Sequence, residues 1–539
     1  MKQHVKVIET AQKWLSTPGY ALTSLMCVIL FLRFLQMLFP SRFDVQYYAY
    51  SSWMVSIGDL PYRDIFFIKT PLMLFINAVP MLVFGSSIYV ILLTEFLIVC
   101  ASVLLVYFVT RQISGEYWLS LGAAFLFALF VNKYVFSYGG GRIENYELLF
   151  YLIGLYVLVK SDWQSPRLST LYLFGLAIGC AALVRQSALI SVLAWGIFWA
   201  VNPQITVSKL RTTTIYFSGI ITVFTIFIAY LSVTGTLSHF IDIQFNYNPA
   251  YAMGGYIGKG WLLGNIILLK NMIKALYPII PFFFLGLYRL DKQWSPILVL
   301  LLATLMEAFA FGNTGFIHYG IVSIPAITIV AAIGAAKLYS WVDSSADASR
   351  SKVMIVFLGL LIILPSGIIR TKHISFAWER ISSEMKGNKS FMAENYELYK
   401  IADDLKSRLN NEEVFAFWGY QMIIPMLAQR RILPGLTPFQ YFVVDLPSEL
   451  VTKKRNEFVS LVRKHLPKIV VITTNHKKET AMPPESLMEL LREHYILFKT
   501  YGPSNKSVAG FRGFNERSFQ MWELTASSEK EVIDHVYNK

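Results

Sequence analysis

Cysteine is scarce. There are three in 539 residues, Cys27, Cys100 and Cys180, and each lies in an apolar run. With none in the polar part of the chain, a disulfide framework is excluded. Charge is scarce as well, at 15% of residues against 55% hydrophobic. The formal net charge is +14, but the basic residues are scattered with no basic stripe, which argues against nucleic acid. No Gly-Lys-Ser phosphate loop, no nucleophilic Ser or Cys motif and no His/Cys/acid group of metal-ligand spacing is present. Internal repeats and low-complexity segments are also lacking.

Long apolar runs are abundant. They repeat at membrane-spanning length, which a soluble core does not need. Roughly eleven spans of about 20 residues can be drawn. They fall near 21–39, 86–108, 117–132, 146–160, 169–184, 187–202, 213–232, 273–289, 295–311, 317–337 and 353–369. The pieces at 71–84 and 261–272 are extra spans or interfacial helices, so the fold class is a polytopic α-helical membrane protein of roughly 11–13 helices. The run from Ala21 to Phe39 follows Lys2, Lys6 and Lys13; it is too long for a signal-peptide core and reads as a retained helix.

Orientation follows from lysine and arginine in the short loops. Arg111, Lys160, Arg167, Lys209, Arg211, Arg289, Lys292, Lys337, Arg350 and Lys352 share one side. With the N-terminus in the cytoplasm, that side is cytoplasmic. The opposite loops, 44–69, 132–145, 235–260 and 312–319, are richer in aromatics and glycine. An odd span count puts the tail on the same outer face. The expected division is therefore residues 1–370 as a transmembrane domain and 371–539 as an extracytoplasmic domain. In the tail, AENYELYKIADDLKSRL and SLMELLREHY have helical period, as does 447–464. EVFAFWGY, KIVVITT and ILFKTY read as strands, so a small α/β domain is expected.

Chemistry concentrates in the outer loops. SRFDVQYYAYSSWMVSIGDLPYRDIFFIKTPLMLF sets Asp44, Asp59, Arg63, Asp64 and Lys69 between apolar runs, with Tyr47 and Tyr62 beside them. Asp44 is a candidate general base or metal ligand, or else the cap of a helix starting near Val45. Lys69, fixed by Thr70-Pro71, is a phosphate-binding point charge or a snorkelling lysine. In SYGGGRIENYELLF, Arg142, Glu144 and Glu147 enter the next helix after three glycines. The acids complement the helix dipole or serve as a second carboxylate group. Arg185-Gln186 interrupts two spans, where an arginine needs a partner, either phosphate or an internal carboxylate. His318-Tyr319 opens another outer helix, as hydrogen-bonded packing or as part of a pocket. The 235–260 loop is aromatic and glycine-rich, like a mobile lid, with Asp242 and Lys259 as its notable charges.

Together these residues resemble the GT-C glycosyltransferases, specifically the dolichyl-phosphate-mannose–protein mannosyltransferase-like superfamily, which includes the bacterial lipid A aminoarabinose transferase. FDVQYYAY, GDLPYRD and KTPL match its first-loop block, and Glu144, Arg185-Gln186 and HYGIVSIP match later features. VFAFWGYQMIIPMLAQRRILPG and PKIVVI resemble the tails of bacterial members. One departure is Val45, where the family has a Glu after the Asp; this shifts weight to Glu144 as the partner of Asp44.

The resemblance implies an inverting transferase, hexosyl or pentosyl, in a bacterial inner membrane. Its donor would be a polyprenyl-phosphate sugar, and its acceptor a glycolipid, cell-envelope glycan or protein, with a divalent metal as an option. Asp44 and Glu144 are then the catalytic acids, and Lys69, Arg185 and Lys259 the donor-phosphate residues. Tyr47, Tyr62, Arg63, Arg142, His318 and Tyr319 line the pocket. The competing reading is a transporter or flippase for a lipid-linked sugar. Transporters often show repeated halves and broken midplane helices, and neither is evident in this chain.

Overall fold

The computed structural model describes residues 43–137, 140–249, 261–288, 290–310, 315–343, 397–419, 421–434, 448–474, 482–502 and 518–526, with isolated positions between 20 and 34 and at 378 and 382. Most of the expected first span, the expected span at 353–369, and Lys259 lie outside the described residues.

The chain divides into two compact units. One contains 1–40, 92–229 and 259–374; the other contains 41–91, 230–258 and 375–539. The tail thus shares its unit with the 44–69 segment and with part of the 235–260 segment.

Apolar helices make up the first unit. In chain order, α1 (Phe43–Ser56) and α2 (Leu72–Phe84) belong to the second unit, and α3 (Ile88–Ser114) enters the first. There follow α4 (Tyr117–Val131), α5 (Ile143–Lys160), α6 (Leu168–Val184), α7 (Leu189–Val201) and α8 (Lys209–Val233). Then come α9 (Trp261–Leu276), α10 (Ile280–Tyr288), α11 (Ser295–Ala310) and α12 (Ile324–Asp343). Among the described residues, five helical segments are long and apolar enough to cross a membrane: 88–114, 209–233, 261–288, 292–310 and 317–341. Shorter apolar helices cover 72–84, 117–131, 168–184 and 186–201.

The expected span at 273–289 is the second half of one longer segment beginning at Trp261. Its prolines do not break it. Pro278 sits in a 3₁₀ turn, Tyr277–Ile279, and Pro281 in the first turn of α10. At those positions the missing N–H costs no helical bond.

Without a hydrophobic difference between lipid and helix, close packing holds such helices together. Glycines allow it here. A Cβ on Gly175 of α6 would stand 2.1 Å from the Tyr216 carbonyl oxygen of α8, and one on Gly219 2.3 Å from that of Tyr172. At the α10–α12 crossing, a Cβ on Gly334 would stand 1.9 Å from the Phe282 carbonyl oxygen.

The second unit contains the mixed sheet expected of the tail. Its elements are α13 (Glu397–Arg408), β1 (Val414–Trp418), α14 (Ile423–Ala428), β2 (Arg431–Ile432), α15 (Ser448–His465), β3 (Ile469–Thr473), α16 (Glu485–His494), β4 (Tyr495–Tyr501) and β5 (Phe519–Leu524). The strand order is β2-β1-β3-β5-β4. β1 is parallel to β2 and β3, while β5 runs antiparallel to β3 and β4. The central strand β3 is buried along its whole length, which explains its unbroken apolar IVVI run.

In this unit the tail packs on α1 and the segment that follows it. The Ile423 N–H donates to Gln46 Oε1 at 3.2 Å, and the Ile432 N–H to the Tyr50 hydroxyl at 3.0 Å. Arg431 Nη2 meets Asp59 Oδ1 at 2.6 Å.

Candidate functional site

The sequence-derived candidates fall into both units. Asp44, Tyr47, Tyr62, Arg63 and Lys69 belong to the unit that includes the tail; Arg142, Glu144, Arg185, His318 and Tyr319 belong to the helical unit.

In the first group, Asp44 lies inside the first turn of α1 and is half-buried. A carboxylate there complements the positive end of the helix. The segment leading to Lys69 is held by side-chain donors to its backbone carbonyls. The buried Tyr47 hydroxyl donates to the Phe66 carbonyl. Asn248 Nδ2 donates to the Ile68 carbonyl at 2.8 Å, and the Tyr62 hydroxyl to that of Lys69 itself at 3.0 Å. Tyr62 has φ 74°, a left-handed conformation that a bulky residue adopts only when its surroundings enforce it. Here the Tyr62 N–H is tied to the Ile65 carbonyl at 2.8 Å. The Lys69 side chain, half-buried, therefore leaves a backbone fixed on several sides.

Arg63 is exposed and forks onto Asp64, with Nε–Oδ1 and Nη2–Oδ2 both at 2.9 Å. Burial pushes the Asp64 carboxyl up, but this fork and the Leu60 N–H hold it below its ordinary value. At Asp59 burial prevails and holds the carboxyl above its ordinary value, against the pull of Arg431.

The second group builds a buried ionic cluster. Backbone geometry starts it: Arg185 is extended at φ −152°, ψ 124°, so α6 ends there and a 3₁₀ turn, Gln186–Ala188, leads into α7. The break turns the guanidinium towards α5 and α11. Its Nη1 lies 3.3 Å from Glu147 Oε2, 3.5 Å from Glu307 Oε1 and 4.0 Å from Glu144 Oε1. Its guanidinium carbon stands 4.7 Å from the Tyr319 ring centre. Ser187 Oγ donates to Glu307 Oε1 at 2.7 Å, and the Tyr151 hydroxyl to Glu307 Oε2 at 2.9 Å. His318 Nε2 lies 3.9 Å from Glu144 Oε1, and its ring stacks on Phe316 at 5.3 Å. Glu144, Glu147 and Tyr151 share one face of α5 because their spacings are three and four residues.

Of the two partners open for Arg185, phosphate and an internal carboxylate, the structure shows the carboxylates. Arg142 is buried, and its Nε donates to the Ser137 carbonyl at 3.3 Å. Among the described residues, no group of three or more His, Cys, Asp and Glu is arranged to hold a metal ion.

Sequence reasoning missed Glu307, Tyr151, Ser187 and Glu95, the last a buried acceptor in α3 for the Gly141 N–H. The signal was available for the acids. Glu307 in ATLMEAFA and Glu95 in LLTEFLIV are single carboxylates within membrane-length apolar runs, where ionisable groups need partners.

The family model for dolichyl-phosphate-mannose–protein mannosyltransferases matches residues 68–232. Among solved structures, ArnT from Cupriavidus metallidurans bound to undecaprenyl phosphate is similar at TM-score 0.56 and 13% identity, covering 93% of this chain and 97% of that one. The oligosaccharyltransferase AglB from Archaeoglobus fulgidus, in complex with an inhibitory peptide and a dolichol-phosphate, is similar at TM-score 0.52 and 12% identity, covering 93% and 75%. No curated protein matches the sequence.

The chain is thus an integral membrane protein with the GT-C fold. The stretch from Ile68 to Ser232 is similar to the dolichyl-phosphate-mannose–protein mannosyltransferase model.

Proposed function

We propose that the chain is a glycosyltransferase that moves a sugar from a polyprenyl-phosphate donor to an acceptor on the extracytoplasmic face, with inversion at the sugar. The family match over 68–232 carries the reading, because it includes Lys69-Thr70-Pro71, Arg142, Glu144 and Arg185. The lipid phosphates in the ArnT and AglB structures support a lipid-phosphate donor. The acceptor is a glycolipid, a cell-envelope glycan or a protein. The Lys/Arg asymmetry puts the N-terminus in the cytoplasm and the tail, from about residue 371, outside; a bacterial inner membrane is the proposed setting.

In this mechanism Asp44 takes the proton from the acceptor hydroxyl. The acceptor oxygen forms a bond to the anomeric carbon on the face opposite the phosphate. The sugar–phosphate C–O bond breaks, and its electrons leave with the lipid phosphate. Lys69, on its braced backbone, meets the charge that develops on that phosphate, and Lys259 has the same proposed role. Arg185 is the third proposed phosphate residue, and its three carboxylate partners also let it hold Glu144 in place. Glu144 then orients the acceptor, with Arg142, His318 and Tyr319 as substrate-contacting residues of its unit, and Tyr47, Tyr62 and Arg63 as those of the other.

The test is a set of variants in the full-length protein. Asp44→Asn keeps size and hydrogen bonding but removes the base. Transfer should fall by about 10²–10⁴, with donor binding intact. Lys69→Ala should instead weaken use of the donor by about 1.5–3 kcal/mol, the range for a hydrogen bond to a charged group. Parental transfer in Asp44→Asn would remove it as the base. Normal donor saturation in Lys69→Ala would remove the phosphate role.

A further inference from the structure

Glu95 is a buried ionisable group that the proposed mechanism leaves unused. It lies in α3, within a membrane-spanning segment, where a carboxylate is costly unless its oxygens are engaged. Three donors to it come from the start of α5 and the two residues before it. The Gly141 N–H reaches Oε2 at 2.8 Å and the Arg142 N–H reaches Oε1 at 3.1 Å. Asn145 Nδ2 reaches Oε1 at 2.5 Å. Gly141 and Arg142 precede Glu144 and Asn145 follows it, so the carboxylate grips the chain on both sides of that residue.

We infer that Glu95 is the positioning residue for Glu144: a carboxylate supplied by α3 caps the start of α5 and fixes the height of Glu144 against Arg185 and His318. The inference rests on the glycosyltransferase reading for what Glu144 does, and on geometry alone for what Glu95 does.

Helix starts leave backbone N–H groups unpaired and carry partial positive charge, so a carboxylate there is doubly favoured. The cap residue of α5 is Arg142, whose side chain makes no capping bond. Glu95 fills that role from another helix. The glycines permit it. Gly140 has φ +107°, and a Cβ there would stand 3.0 Å from Glu95 Oε2 and 2.9 Å from Leu92 Cδ2. Gly141 has φ +70°. Both residues thus adopt left-handed backbone that favours glycine, and this backbone lies against α3. Gly140 and Gly141 are thus explained by the approach to Glu95.

The experiment compares the parent, Glu95→Gln and Gly140→Ala, all full length, by amide hydrogen exchange and by transfer kinetics. A Gln side chain keeps one acceptor but turns an NH₂ against the remaining donors. Glu95→Gln should speed exchange in the 140–146 segment while the rest of α3 and α5 keeps parental protection. Its kcat should fall about 10–100-fold, the scale for a misplaced group, with donor KM unchanged. Gly140→Ala disturbs the same contact from the loop side, so it should give the same local exchange and the same kcat-only loss. It also covers the case in which Glu95→Gln fails to fold.

Parental exchange and parental kcat in both variants would overturn the inference. So would a uniform loss of protection across α3, which would make Glu95 a general packing group. Local exchange that rises as expected in a protein whose parent transfers no sugar would support the clamp while refuting the glycosyltransferase reading.

Discussion

Arg185 is the group whose removal should be felt most, and the structure says how. It is buried among three carboxylates at 3.3, 3.5 and 4.0 Å. Arg185→Met leaves Glu144, Glu147 and Glu307 facing one another without their guanidinium. Removing one member of a buried ionic group typically costs about 3–5 kcal/mol, and three acids around one base put this case at the upper end. Glu307→Leu is milder. Arg185 keeps Glu147 and Glu144, and like-charge repulsion falls. The loss is then mainly the acceptor for Ser187, at about 1–3 kcal/mol for its stranded hydroxyl, because Tyr151 keeps Glu147 Oε1 at 3.2 Å.

The double variant should cost less than the sum of the two, because each single change leaves charge that the other removes. Coupling within such a network is about 0.5–3 kcal/mol. The assay is unfolding of the detergent-solubilised protein on increasing sodium dodecyl sulfate, in a full double-mutant cycle. Strict additivity, or Glu307→Leu proving worse than Arg185→Met, would refute this account of the cluster.

Two further outcomes follow from other parts of the molecule. In the tail, burial pushes the Asp404 carboxyl up, but Lys499 Nζ at 2.7 Å and the Tyr501 hydroxyl at 2.6 Å outweigh it and hold the carboxyl below its ordinary value. A depressed folded-state pKa stabilises above the unfolded value and is lost as pH falls through the folded one. In thermal melts of the full chain, Asp404→Asn should therefore be less stable than the parent near pH 7, and the gap should close as pH drops below about 4; a gap constant with pH would deny Asp404 this role. A reporter that works only outside the cytoplasm, fused to the tail, should be active, and its silence would reverse the proposed orientation.

What could be read from the sequence depended on the range of the interaction. Membrane spans are local properties of composition, so 88–114 and 317–341 were legible as apolar runs, as were the IVVI strand and the KIADDLKSR helix of the tail. The join of 261–272 to the span after it was not, because Lys270, Asn271 and Lys274 interrupt the apolar run at that point. The cluster around Arg185 is a long-range product. Glu307 lies 122 positions from Arg185, and no periodicity links them. Glu95 and the GGG run are 45 or so residues apart, and their connection is made through backbone N–H groups, which every sequence has. Charge inside an apolar run was the one trace that both acids left.

The central claim is sugar transfer from a lipid phosphate, and one measurement meets it directly. Purified full-length protein is incubated with a panel of polyprenyl-phosphate sugars and a membrane extract as acceptor source, and release of the free lipid phosphate is followed with Asp44→Asn as the control. The account expects release from at least one donor, matched by sugar appearing on an acceptor, and a loss of about 10²–10⁴ in the control. Donors that bind and cross the membrane intact, with no lipid phosphate released by the parent protein, would contradict it and favour the transporter.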